Sequence, residues 1–124
     1  MRQINFKALN AVTATTTSDS ISLEGVLKAT LQFIRANHSA GSSAFAVEVS
    51  NDGINWVTYN KLIDNVANTN GQMPTRVASC TLASDTSKVY TMDLENDCYK
   101  YMRVTVTQTT DGTHSAIVAL QLGE

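Results

Sequence analysis

Residues 45–59 read FAVEVSNDGINWVTY, and their pattern decides the fold. Phe45, Val47 and Val49 share one face of an extended chain, and Ala46, Glu48 and Ser50 share the other, because successive side chains of a strand point to opposite sides. The alternation stops at Asn51-Asp52-Gly53-Ile54-Asn55, a cluster of turn formers. Asp52-Gly53 is the dipeptide that supplies the positive φ values of a tight hairpin, with Asn51 and Asn55 able to hydrogen-bond the nearby backbone. The chain is expected to reverse here, and Trp56, the only tryptophan, to open the return strand. From that position the indole should lie over one end of the core, closing it, with its N–H on a carbonyl or water. Trp56 is on this reading a structural residue.

The same period of two recurs on both sides of this segment. In residues 99–107, YKYMRVTVT, Met102, Val104 and Val106 face one way while Tyr99, Tyr101, Arg103, Thr105 and Thr107 face the other. Residues 88–94 (KVYTMDL) and 116–122 (AIVALQL) read likewise. The segment 23–37, LEGVLKATLQFIRAN, fits two periods. Leu23, Leu27, Leu31 and Ile34 could mark a helical stripe, whereas Leu27, Ala29, Leu31 and Phe33 alternate. Gly25 interrupts a helix early, and Thr30 and Ile34 suit a pleated surface, which favours strand. Residues 3–16, rich in Thr and loosely alternating, read as a further strand at a sheet edge, and residues 77–82 (VASCTL) complete the set.

Loops are expected at 39–43, 50–53, 65–75, 83–87, 95–98 and 109–114, and Pro74, the single proline, falls in the longest of them. Several short strands at such spacing imply an all-β antiparallel sandwich or barrel, not an α/β fold. No repeat or linker divides residues 1–124, so one domain is expected. Its 124 residues suffice to bury a continuous core without metals or disulfides.

Only 16% of residues are charged, and nine basic against eleven acidic residues give a formal charge of -2. The basic residues are scattered from Arg2 to Arg103, which is no footprint for nucleic acid or for an anionic membrane. No apolar run approaches the roughly 20 residues that span a bilayer. Asn5, Lys7 and Asn10 interrupt the N-terminal stretch, unlike a secretory signal, so a cytoplasmic setting is expected. There Cys80 and Cys98 read as unpaired thiols and the sequon Asn37-His38-Ser39 carries no information.

The residues offer little for chemistry. His38 and His114 fall in expected loops, exposed and at no zinc-binding spacing. Asp93-Leu94-Glu95-Asn96-Asp97 has the oxygen-rich composition that calcium uses but not the order of an EF-hand loop, and it reads as a solvated strand end. Asp52 with Asn51 and Asn55 invites the same comparison, and the turn accounts for them. No nucleophile elbow, acid–base carboxylate pair or phosphate loop is present, so neither an enzyme nor a cofactor is expected.

The pairing of VEVSNDGINWVTY (47–59) with YKYMRVTVTQT (99–109) resembles the galactose-binding-like (discoidin-type) jelly-roll sandwiches, over residues 26–122. There a strand ending in a Ser-Asn/Asp-Asp-Gly turn and a Trp precedes an aromatic-x-Arg strand. The resemblance implies a structural role for Asp52, Gly53, Trp56, Tyr101 and Arg103 in turn and core, and it carries over no ligand set. In overall character the chain also resembles tailed-bacteriophage virion proteins, above all capsid decoration or stabilisation proteins.

That second likeness implies a non-enzymatic protein of the virion, assembled in the host cytoplasm, binding the major capsid protein and copies of itself, commonly as a trimer. In such a protein Ile4, Phe6 and Leu9 are expected to add a strand to a neighbour's sheet edge, and Met73 and Pro74 to make a second contact. The alternatives are a tail or baseplate appendage domain and a carbohydrate-binding module. The module would grip a surface glycan on an aromatic platform of Tyr59, Tyr90 and Trp56.

Overall fold

The computed structural model describes residues 2–64 and 76–123. Among the described residues twelve strands follow one another: β1 (Arg2–Val12), β2 (Thr16–Thr17), β3 (Ile21–Ser22), β4 (Val26–Ala36), β5 (Ser43–Ser50), β6 (Val57–Thr58), β7 (Leu62–Asp64), β8 (Arg76–Val77), β9 (Cys80–Leu82), β10 (Thr86–Asp93), β11 (Tyr101–Gln108) and β12 (Thr113–Leu122). Met73 and Pro74 lie outside the described residues.

The segment 23–37 that fitted two periods is a strand, with Ala29, Leu31 and Phe33 buried at every second position. Residues 77–82 do not form one strand. Val77 ends β8 in the first sheet and Cys80 begins β9 in the second. Among the described residues no helix is long and apolar enough to cross a membrane.

The first sheet runs β1-β12-β4-β10-β7-β8. In the second, β11 and β5 form the centre, β2 and β3 share the outer edge of β11, and β6 and β9 share the outer edge of β5. With each shared edge taken as one strand, the sandwich pairs β1-β12-β4-β10 with β2/β3-β11-β5-β6/β9. The pairings are antiparallel and the chain crosses repeatedly between the layers, which is the jelly-roll arrangement.

The core lies between the layers, where alternation predicts. Phe45, Val47 and Val49 of β5 register with Val106, Val104 and Met102 of β11, and all six are at most 1% exposed. Phe33 of the first sheet stacks on Phe45 of the second, centroids 5.0 Å apart. Each such side chain removed from water stabilises by about 1.5–3 kcal/mol.

The edge strand β1 keeps its apolar side chains inward by bulging. Ile4, Phe6, Leu9 and Val12 face Leu120, Val118, Ala116 and His114 of β12, and the register shifts between Lys7 and Leu9 and again before Val12. Each extra residue reverses the parity of the strand, so positions that simple alternation separates come to share a face. Leu9 is therefore 2% exposed and part of the core, and Phe6 packs against it. This corrects the expectation that Phe6 and Leu9 present themselves to a neighbour. Of the three side chains only that of Ile4, at 41%, is exposed.

Candidate interaction surface at one end of the sandwich

The hairpin of residues 51–56 is wider than the two-residue turn the sequence predicts. Gly53 takes a positive φ of 75°, whereas Asp52 does not, so the tight turn with both central residues at positive φ is not formed. The physical reason is the Asp52 carboxylate, which takes over the role of a backbone partner. Its Oδ1 accepts from Ile54 N and Asn55 N, both at 2.8 Å, and from Ser50 Oγ at 2.9 Å. Its Oδ2 accepts from Asn55 Nδ2 at 2.8 Å, and Ser50 Oγ in turn accepts from Gly53 N at 2.9 Å. The backbone donors of Asn55 and Ile54, then the side chains of Asn55 and Ser50, hold this carboxyl far below the usual range.

Trp56 does not cap the core. Its ring lies over the Arg103 guanidinium at 4.3 Å, and Arg103 Nε donates to Glu48 Oε1 at 2.7 Å. Arg103 and Glu48 are register partners on the outer face of the second sheet, so the indole is clamped outside the sandwich. Val47, Val49, Met102 and Val104 already fill the inner face of this sheet, and a delocalised cation on the outer face offers the ring a partner there. Tyr101, two residues before Arg103, is likewise half-buried on the outer face and not in the core. Gly53 sits against its ring, where an added Cβ would lie 3.6 Å from Cε2.

The hairpin leaves Ile54 80% and Val57 62% exposed, the most exposed large apolar side chains among the described residues. Beside it opens a cleft of about 710 Å³, lined by Leu23, Tyr99 and Tyr101 with Glu24, Asn51 and Lys100 at polar positions. Asn51 Oδ1 accepts from Lys100 N at 3.0 Å, and Lys100 Nζ stands 5.7 Å from the Tyr101 centroid. Cys98 lies exposed in the same cleft, and Cys80 is buried, both as free thiols. Tyr99 is braced edge-on by Tyr59 at 6.0 Å.

Tyr59 and Tyr90 are 2% and 3% exposed, so the three-ring platform with Trp56 is not assembled. Tyr90 follows the inward phase of β10, and Tyr59, just after β6, is held inward with its N–H donating to Val47 O at 2.8 Å. The Asp93–Asp97 stretch is not a freely solvated strand end either. Asp97 accepts from Tyr59 Oη at 3.2 Å and Lys61 Nζ at 3.1 Å, and Asp93 Oδ2 accepts from Asn96 Nδ2 at 2.8 Å. Among the described residues no group of three or more His, Cys, Asp or Glu is placed to hold a metal ion.

The opposite end of the sandwich holds a polar cluster that sequence reading missed. Arg35, on β4, is 1% exposed, and its guanidinium donates to four carbonyls: Ala40 O at 3.0 Å, Gly41 O at 2.9 Å, Leu82 O at 3.1 Å and Asp111 O at 2.9 Å. One buried cation thus ties together three chain reversals. The Asp111 carboxylate accepts from Ser39 N at 2.9 Å and from Ser39 Oγ.

His114 was expected in an exposed loop. It is instead a fully buried residue of β12, with Nε2 2.6 Å from Ser43 Oγ and Nδ1 3.2 Å from Val12 O. Val12 O can only accept, so Nδ1 carries the proton and Nε2 accepts from the serine. Burial first, and then the Arg35 charge, push its pKa down. The signal lay in phase. The alternation Ala29, Leu31, Phe33 continues to Arg35, that of Phe45 runs back to Ser43, and that of Ala116 back to His114. His38 is a half-buried loop residue paired with Asp85.

No protein-family profile matches the chain, and no curated protein matches it. Among solved structures it is similar to the SPBc2 prophage-derived protein YomS, with a TM-score of 0.71 and 8% identity over 97% of this chain and 94% of that one. It is also similar to a chain in the structure of infectious bursal disease virus Gx strain, with a TM-score of 0.50 and 9% identity. That match takes in 98% of this chain and 33% of the viral one, so the chain spans about a third of the viral protein's length. At these identities the likeness is one of fold. The chain is a jelly-roll-like β-sandwich, an architecture it shares with a prophage protein and with part of a viral one.

Proposed function

We propose that the chain is a non-enzymatic structural protein of a virion, a decoration or stabilisation protein on the outer surface of a phage shell. The observation that carries this reading is the hairpin of residues 51–56. It is braced by the Asp52 hydrogen bonds and the Trp56–Arg103–Glu48 stack, yet it holds Ile54 and Val57 in water. A rigid element that exposes large aliphatic side chains suits a protein contact, because little ordering entropy opposes binding and the apolar area is ready to be buried. The full-length likeness to a prophage-derived protein supports the same setting. The partners are the major shell subunit and further copies of this chain, and each modest contact is multiplied around a symmetric shell. Assembly takes place in the host cytoplasm.

The test is association with particles. The protein should copurify with intact particles in a fixed ratio to the major shell subunit, and Ile54→Asp should lower that ratio while leaving the fold intact. Protein that is never found on particles would remove the proposal, and protein found only on tails would move it to a tail or baseplate appendage.

One observation favours a second reading, a glycan-binding module. The cleft of about 710 Å³ has the volume of a small-ligand site, two tyrosines in its wall and Asn51 at its rim. Binding on a glycan panel that is lost in Tyr101→Ala would support it.

A further inference from the structure

We infer that the hairpin end of the sandwich is the docking surface for a second copy of the same chain, through a two-fold contact in which each hairpin enters the other's cleft. The inference rests on reading this end as a protein contact, and it names the occupant. A two-fold interface sets a patch against itself, so the patch must be self-complementary in both shape and charge.

The shape condition is met because protrusion and depression adjoin. Asn51 belongs to the hairpin and also lines the cleft, and the cleft's Tyr101 packs against Gly53. Ile54, the most exposed apolar side chain among the described residues, stands at the hairpin tip, and Leu23, Tyr99 and Tyr101 provide apolar surface beside it. The charge condition is met as well. Glu24 and Lys100 line the same cleft, and neither forms an ion pair among the described residues. A two-fold axis that sets Glu24 of one copy against Lys100 of the other gives two equivalent ion pairs. The result is a pair of chains, not the trimer that the resemblance to decoration proteins implies.

The experiment is sedimentation of the isolated full-length protein over a concentration series. The wild type should reach twice the 13.4 kDa mass of the chain. Ile54→Asp should reduce it to the monomer, and Glu24→Lys should do the same by placing like charges opposite each other. The exchange Glu24→Lys with Lys100→Glu should restore the dimer, which no merely structural role of either residue would produce. A wild type that stays monomeric to millimolar concentration, a trimer, or a double exchange that remains monomeric would overturn the inference. If Ile54→Asp still abolishes particle association in that case, the hairpin meets the shell subunit instead. The virion reading then stands without the dimer.

Discussion

The Arg103 guanidinium is held between the Trp56 ring, at 4.3 Å, and the Glu48 carboxylate, at 2.7 Å from Nε. One side chain thereby fixes both the hairpin and the sole tryptophan. Replacing Arg103 with Met keeps an unbranched stem out to about the position of Nε and removes both interactions. The expected cost is about 1 kcal/mol, since the site is half exposed. Trp56 emission should move to longer wavelength and iodide quenching should rise, because the ring loses the partner that holds it against the sheet. Unchanged quenching would mean that the ring is held by something else.

Asp52 sets an acid limit on the hairpin. Its folded pKa is depressed, so its contribution is complete above the ordinary carboxylate value and is lost as pH falls through the folded one. Asp52→Asn should lower Tm at neutral pH and flatten the decline of Tm in acid. Parallel melting curves for the two proteins between pH 7 and pH about 2 provide the measurement.

His114 acts in the same direction in a higher window. Its folded pKa lies below the ordinary imidazole value of about 6.5, so the unfolded chain takes up protons first. Stability should be constant above that value and fall as pH drops below it. His114→Gln removes the titration but keeps a side chain able to hydrogen-bond, so it should lose that segment of the pH dependence. A pH profile of urea midpoints reads this directly, and identical profiles would assign the decline to other groups.

Arg35 is a costly position to change. Arg35→Met would leave the carbonyls of Ala40, Gly41, Leu82 and Asp111 without their buried donor. A loss of about 3 kcal/mol or more is expected, with amide exchange accelerated in residues 37–42 and 109–112 together. Acceleration in only one of these loops would show that the guanidinium does not couple them.

Leu9 and Ile4 separate core from surface on the same strand. Leu9→Ala should cost about 2–5 kcal/mol by opening a cavity, whereas Ile4→Ala should change little in the monomer. Equal effects in chemical denaturation would contradict the bulge between Lys7 and Leu9 that places Leu9 inside.

Inward and outward faces were legible wherever a strand keeps strict parity. Phe45, Val47, Val49, Met102, Val104 and Val106 were assigned correctly from alternation alone, and the same rule run two residues further marks Arg35, Ser43 and His114 as inward. Ser43 and His114 were assigned to loops and Arg35, though within the strand 23–37, was not counted with its inward residues, because polar side chains are ordinarily taken to face water; here buried carbonyls and a hydroxyl accept or donate their hydrogen bonds. β1 was only half legible. Its parity changes at bulges, and a bulge answers to the partner strand, whose position no local pattern records.

The sequence by itself determined an all-β chain, its long strands β4, β5, β10, β11 and β12 and the apolar side chains with which they face the core, since period-two burial is a local property of an extended backbone. Only the tertiary structure decided that Trp56 lies outside on Arg103, that the hairpin is shaped by the Asp52 carboxylate, and that three separate reversals meet on Arg35. The first and last join groups 47 and 76 residues apart in the chain, and the hairpin turns on a side-chain carboxylate taking the place of a backbone acceptor. Hydrogen bonding and cation–ring attraction settle such a choice only once the fold has brought the alternatives within reach of one another.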